Sequence, residues 1–257
     1  LRRAKALAAQ SEKVLLFLGL DEGSETEGYD REHMRLRENQ LDLLREIAEV
    51  NPNVGVVLQC GSPVEMTWDV FVRAVLHLYL GGQAVGSACA ALLTGEANPS
   101  GKLAETMPVR LEDSPCAPWY PGREATSEYR EGLFVGYRYY ESAHKRVKYP
   151  FGYGLSYTEF SYAPGEWSPS GVRFTIKNTG SRTGAEVAQV YIRAKTGGML
   201  RPALTLGGFV RVELLPGEEK TVSVPLSERS FAVWSRAKNR WVVEEGEYEL
   251  CIGASAQ

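Results

Sequence analysis

Residues 14–31 read VLLFLGLDEGSETEGYDR. An apolar run, Val14 to Leu18, ends at Gly19 and gives way to a loop holding Asp21, Glu22, Glu25, Glu27 and Asp30. A short unbroken apolar run ended by glycine marks a parallel strand buried on both faces. In parallel α/β sheets, ligands gather in the loops that leave the carboxyl ends of strands. The acidic loop therefore sits where such a fold would keep its chemistry.

Outward from this stretch the same order repeats. Asn39–Val50 carries Leu41, Leu44, Ile47 and Ala48 at helical spacing, and Asn51-Pro52-Asn53 stops it. Val54–Leu58 is a second buried strand, Val70–Leu76 holds a third apolar run, and Gly82–Leu93 is an Ala-rich helix. The β–α–β–α order predicts an α/β layer with a mostly parallel sheet over residues 1–122. Pro108, Pro115, Pro118 and Pro121 then break the pattern, and residues 123–159 form an ordered connector rich in Tyr and Gly. From Phe160 the period changes to two: Val172, Phe174 and Ile176 alternate with Arg173, Thr175 and Lys177. Val187, Val190 and Ile192 continue that alternation around a bulge. Several short strands separated by turn residues predict an antiparallel β-sandwich over residues 160–257. The expected fold class is thus α/β plus all-β.

Composition bounds the function. The chain has 257 residues, 44% apolar and 24% charged, with a formal net charge of −3. That balance offers no basic patch for a phosphate backbone, so nucleic acid is not an expected partner. No apolar stretch approaches the ~18 residues of a membrane span, so no membrane partner is expected. The sequence starts at Leu1, and LRRAKALAAQ reads as a helix rather than a signal peptide. Cys60, Cys89, Cys116 and Cys251 are far apart and lack CxxC spacing, which predicts free thiols of a reducing compartment and no zinc site.

Three readings of the acidic loop compete. It is a solvated charge run, a calcium loop built on Asp21, Glu25 and Glu32, or the seat of a catalytic carboxylate. The calcium pattern needs a mid-loop glycine where Thr26 stands. Gly23 and Gly28 let the backbone turn tightly, and Arg31 can pair with one carboxylate while another titrates. Elsewhere, GGQAVG at residues 81–86 reads as a helix start, and His77 as a satisfied core histidine. The aromatics Trp119, Tyr120, Tyr129, Tyr137, Tyr139 and Tyr140 read as packing for the connector.

Taken together, ETEGYDR, GSPVEMTW, YLGGQAVG, NPSGKLAETMP, EGLFVGYRYYE and YPFGYGLSYTEF, in this order, strongly resemble the C-terminal part of family 3 glycoside hydrolases of the β-glucosidase type. RPALTLGGFVRVELLPGE and GEYELCIG are similar to that family's fibronectin type III-like domain. The likeness covers nearly the whole chain. It implies retaining, exo-acting hydrolysis of terminal β-D-glucosyl residues by two carboxyl groups. By the same resemblance the acid/base is Glu27, the fallback is Glu25, and Asp30 and Arg31 support the loop. The nucleophile would be an Asp on a (β/α)8 barrel, which at ~250 residues cannot fit beside these elements.

The resemblance therefore implies half of an active site, inactive in isolation, with a partial α/β sandwich needing a complementary piece. Its partners would be a β-glucoside or oligosaccharide substrate and that barrel, in the same or another polypeptide, with a homo-oligomer left open. No cofactor or metal is implied. The alternative is a non-catalytic structural, sugar-binding or interaction module derived from the family. The sequence departs from the family's pattern at Ser24, where an aromatic often stands, and at Arg37 and Thr67, where prolines are usual. The latter two read as loop tolerance.

Overall fold

The computed structural model describes residues 1–122 and 125–257; Arg123 and Glu124, the first two positions of the expected connector, lie outside the described residues. The chain forms two compact units. One comprises Leu1–Leu93 with Met107–Glu128, the other Thr94–Thr106 with Tyr129–Gln257.

In the first unit the elements are α1 (Arg2–Gln10), β1 (Val14–Gly19), α2 (Glu38–Ala48), β2 (Val54–Gln59), β3 (Ala74–His77) and α3 (Val85–Thr94). The strands form a parallel sheet in the order β1-β2-β3, with Val14 opposite Val54 and Gly55 opposite Ala74. Central β2 is the most buried, with Val54, Val56, Val57 and Leu58 all covered. Helix α2 buries Leu41, Leu44 and Ile47, the stripe expected from the sequence. Buried Asn51 donates through Nδ2 to the carbonyls of Ala8 (2.8 Å) and Ser11 (2.7 Å), which ties down the end of α1.

Two expectations are corrected here. Strand β1 is not buried on both faces: Leu18 is covered, but Leu15 and Phe17 are 48% and 64% exposed. The period of two puts Leu15 and Phe17 on the opposite face from Leu16 and Leu18. Among the described residues that face is open. The apolar run at Val70–Leu76 is also split. Residues Thr67–Phe71 form a 3₁₀ helix, and the strand starts only at Ala74.

The end of β1 is fixed from two sides. Gln40 of α2 accepts the Gly19 N–H at 3.0 Å and donates to the Gly19 carbonyl at 2.8 Å. A Cβ on residue 19 would lie 2.1 Å from the Gln59 carbonyl oxygen, so only glycine fits between α2 and β2.

The second unit is an antiparallel sandwich. One sheet runs Thr205–Leu214, Gly184–Ala194, Tyr248–Gly253, and the other Glu219–Pro225, Gly171–Asn178, Phe160–Tyr162. Val172, Phe174 and Ile176 from one sheet meet Ala188, Val190, Ile192 and Leu214 from the other. Burying each Val, Ile, Leu or Phe side chain here stabilises by ~1.5–3 kcal/mol before the entropy of ordering it. The strand Gly184–Ala194 departs from simple alternation, because both its faces are largely covered. Tyr191 on the second face packs with Leu204, Ala256, Tyr137 and Phe151. The irregularity in pairing lies on the partner strand, between Leu206 and Gly208.

The segment Thr94–Thr106 is bound into this unit by polar anchors. Asn98 donates to the Thr183 carbonyl at 2.9 Å and accepts the Tyr157 N–H at 2.8 Å. Lys102 pairs with Glu186 at 2.9 Å, both side chains nearly buried, and donates to the Gly154 carbonyl at 2.8 Å.

Candidate active-site loop

The loop leaves β1 through a self-closing turn. The Asp21 carbonyl accepts the N–H groups of Ser24 and Glu25, each at 2.9 Å, and Asp21 Oδ1 accepts the Ser24 N–H at 3.0 Å. Arg37, at the N-terminal cap of α2, donates through Nη2 to Asp21 Oδ1 at 2.8 Å and through Nε to the Ser24 hydroxyl at 3.1 Å. The Asp21 carboxyl is held below its ordinary range, chiefly by the Ser24 side chain and also by the Arg37 charge. Arg37 is thus more than a tolerated replacement: it joins the stem of the loop to a helix.

The middle of the loop is tied to a distant segment. Glu25 Oε2 accepts the Gly61 N–H at 2.7 Å, and Oε1 accepts the Ser62 hydroxyl in a short contact. A Cβ on residue 61 would lie 3.3 Å from Glu25 Oε1 and 2.8 Å from a Leu80 methyl, so glycine permits this approach. Ser62 also accepts from Arg31 Nη1 at 2.6 Å, and the same nitrogen donates to the Pro63 carbonyl at 3.1 Å. Arg31 was expected to pair with a carboxylate. Its partners are instead a hydroxyl and a carbonyl, because Gly61–Pro63 packs between it and Glu25. Glu65 of the same segment accepts the Leu111 N–H at 3.1 Å, while Val64, Met66 and Trp68 anchor it in the core.

Between these ties, Thr26–Asp30 stands in solvent. The Gly28 N–H donates to Thr26 Oγ1 at 3.3 Å and keeps the tip turned. Asp30 is engaged by the Tyr120 hydroxyl, and this hydrogen bond heads the causes that hold the phenol above its ordinary range. Glu27 is exposed and makes no hydrogen bond or ion pair among the described residues. The structure therefore brings Glu25 and Arg31 together on Ser62, sets Asp30 against Tyr120, and leaves Glu27 without a partner among the described residues.

The calcium reading loses its geometry, since Asp21 faces Arg37 while Glu25 faces Gly61 and Ser62. Among the described residues no group of three His, Cys, Asp or Glu could hold a metal ion. None of the four cysteines is in a disulfide. His77 differs from a satisfied core histidine: Nδ1 lies 3.4 Å from the Leu58 carbonyl, and Nε2 is buried without a hydrogen-bond partner among the described residues. The GSPVEMTW stretch does not by itself assign a role to Gly61 and Ser62. Its small, turn-forming residues were the available signal. Nothing local marks Tyr120 or Arg37.

Residues 1–157 match the glycosyl hydrolase family 3 C-terminal domain, and residues 186–256 match a fibronectin type III-like domain. Among curated proteins, the chain is 45% identical to the thermostable beta-glucosidase B of Acetivibrio thermocellus, over 100% of this chain and 35% of that protein. It is 41% identical to an exo-alpha-(1->6)-L-arabinopyranosidase of Bifidobacterium breve, over 97% of this chain and 34% of that protein. The crystal structure of the Bifidobacterium adolescentis GH3 beta-glucosidase superposes with a TM-score of 0.94 at 40% identity, covering 99% of this chain and 39% of that one. The Kluyveromyces marxianus beta-glucosidase in complex with glucose gives a TM-score of 0.93 at 39% identity, over 99% and 32%. The chain thus spans about a third of the length of the curated relatives it matches.

Proposed function

The chain belongs to glycoside hydrolase family 3, as its C-terminal domain followed by a fibronectin type III-like domain, and on that premise we propose that it carries the acid/base of a retaining exo-β-glucosidase. The observation that carries this reading is the contrast within one loop. Glu25 has both oxygens committed to Gly61 and Ser62 and Asp30 is engaged by Tyr120, whereas Glu27, which the EGYDR motif singles out, is exposed and, like Glu22 nearer the stem, makes no hydrogen bond or ion pair among the described residues. A general acid must reach the leaving oxygen with its own proton, which a doubly committed carboxylate cannot do without breaking its ties.

In the proposed reaction an Asp on a (β/α)8 barrel attacks the anomeric carbon of a terminal β-glucoside. Glu27 protonates the departing glycosidic oxygen, then takes a proton from the water that releases glucose. The glucose in the Kluyveromyces marxianus complex supports the choice of sugar. The open face of β1, with Leu15 and Phe17, supports a further stretch of chain packed there. In this reading the chain without the barrel does not hydrolyse glucosides.

The test is Glu27→Gln in the complete enzyme. Cellobiose hydrolysis should fall by ~10²–10⁴-fold, the usual worth of a general acid, while aryl glucosides with good leaving groups lose far less in the first step. Added azide should rescue the second step. Equal loss on all substrates without rescue would move the role elsewhere. Including an aryl α-L-arabinopyranoside in the panel compares the sugar named for the Bifidobacterium breve relative with glucose.

A further inference from the structure

The two departures from the family's pattern at Ser24 and Arg37 meet in space. Arg37 Nε donates to Ser24 Oγ at 3.1 Å, and Arg37 Nη2 lies 2.8 and 2.7 Å from the two oxygens of Asp21. Asp21 in turn closes the turn that leads to Glu25, through its carbonyl and through Oδ1. A guanidinium presents its donors in a fixed planar fork, so its bonds carry direction as well as charge. Asp21 and Arg37 are both about half exposed, at 51%. An exposed pair of this kind adds little to global stability. Its effect falls instead on where the loop stem sits.

We propose that Arg37 is a positioning residue for the hydrolysis. Through Asp21 and Ser24 it fixes the entry of the loop, as Glu25 and Arg31 fix its middle and exit on Ser62. The free carboxyl of Glu27 is thereby held between two anchored stems. The inference rests on Glu27 being the acid/base. Arg37 acts through the loop and is not itself a proton donor. Displacing a reacting group by about 1 Å costs on the order of 10²-fold in rate. Here that loss falls on substrates whose leaving group needs a proton.

The experiment uses the complete enzyme with Arg37→Ala, Arg37→Lys, Asp21→Asn and Glu27→Gln, each assayed on cellobiose and on 2,4-dinitrophenyl β-glucoside. Arg37→Ala should lose ~10–100-fold in kcat on cellobiose and under about 3-fold on the activated glucoside, with an unchanged melting temperature. Arg37→Lys keeps the charge beside Asp21 and should recover part of the loss. Asp21→Asn combined with Arg37→Ala should be no worse than Arg37→Ala alone, because both act through one contact. Equal loss on both substrates, no loss, or additive losses would overturn the proposal.

A second measurement needs no variant that might fold poorly. Amide exchange at Ser24 and Glu25 of the wild-type enzyme should accelerate in ~1 M NaCl, where the screening length shrinks to about 3 Å. Unchanged exchange would count against the clamp. If Glu27→Gln shows no leaving-group dependence, the acid/base reading fails, while the exchange result still judges the clamp.

Discussion

Glu25 accepts the backbone N–H of Gly61 at 2.7 Å, joining the ETEGYDR loop to the GSPVEMTW segment across 36 positions of sequence. The loop is therefore framed at its stem and middle, with Glu27 at its solvent-exposed tip. Glu25→Ala should destabilise the protein by about 1–3 kcal/mol, because the Gly61 N–H and the Ser62 hydroxyl lose their acceptor. Urea unfolding measures this. Azide should not rescue the variant's activity, in contrast to Glu27→Gln.

Gly19→Ala tests the close approach of β1 to β2. The new Cβ would meet the Gln59 carbonyl oxygen at 2.1 Å, and backbone cannot move aside as a side chain can. Overpacking of this kind costs ~1–3 kcal/mol or more. The urea midpoint should fall, and the bonds from Gln40 to Gly19 should loosen in amide exchange.

Lys102→Met breaks the nearly buried pair with Glu186 and leaves a carboxylate without its cation. The expected cost is ~3–5 kcal/mol. Adding Glu186→Gln removes the stranded charge and should recover a large part of that loss. A double mutant that is no more stable than Lys102→Met would show that the ion pair is not what anchors this segment.

His77 supplies a pH dependence. Burial lowers its pKa, against smaller upward effects from the Leu58 carbonyl and the Glu25 charge. A base whose folded pKa lies below its unfolded value of about 6.5 favours the folded state most above that pH, and the advantage is lost as pH falls through the folded pKa. Unfolding free energy should therefore decline on acidification below about pH 6.5, and His77→Phe should flatten that slope. The imidazole resonances should titrate below the free-histidine range.

The parallel strands and the α2 helix were legible because their signals are local. Leu41, Leu44 and Ile47 recur at helical spacing, and Val172, Phe174 and Ile176 at strand spacing, so each face follows from the chain's own geometry. The open face of β1 was not legible in VLLFL itself. An apolar run states that both faces could be buried, not that something covers them. The acidic loop could be located, but five carboxyls within ten residues look alike on paper. Glu25 and Glu27 are two residues apart, yet one is bound to Gly61 and Ser62 and the other is exposed without a partner among the described residues.

By itself the sequence determined the order of elements, the change of period near Phe160, and the series of family motifs that begins with ETEGYDR and GSPVEMTW. Tertiary structure decided which charges are occupied. It set Arg37 on Asp21 and Ser24, Arg31 on Ser62, and Lys102 on Glu186. The physical reason is range. Periodicity and turn chemistry act over a few residues, whereas a hydrogen bond exists only once folding brings its two partners within about 3 Å. Until then, an anchoring arginine and a solvated one are the same letter.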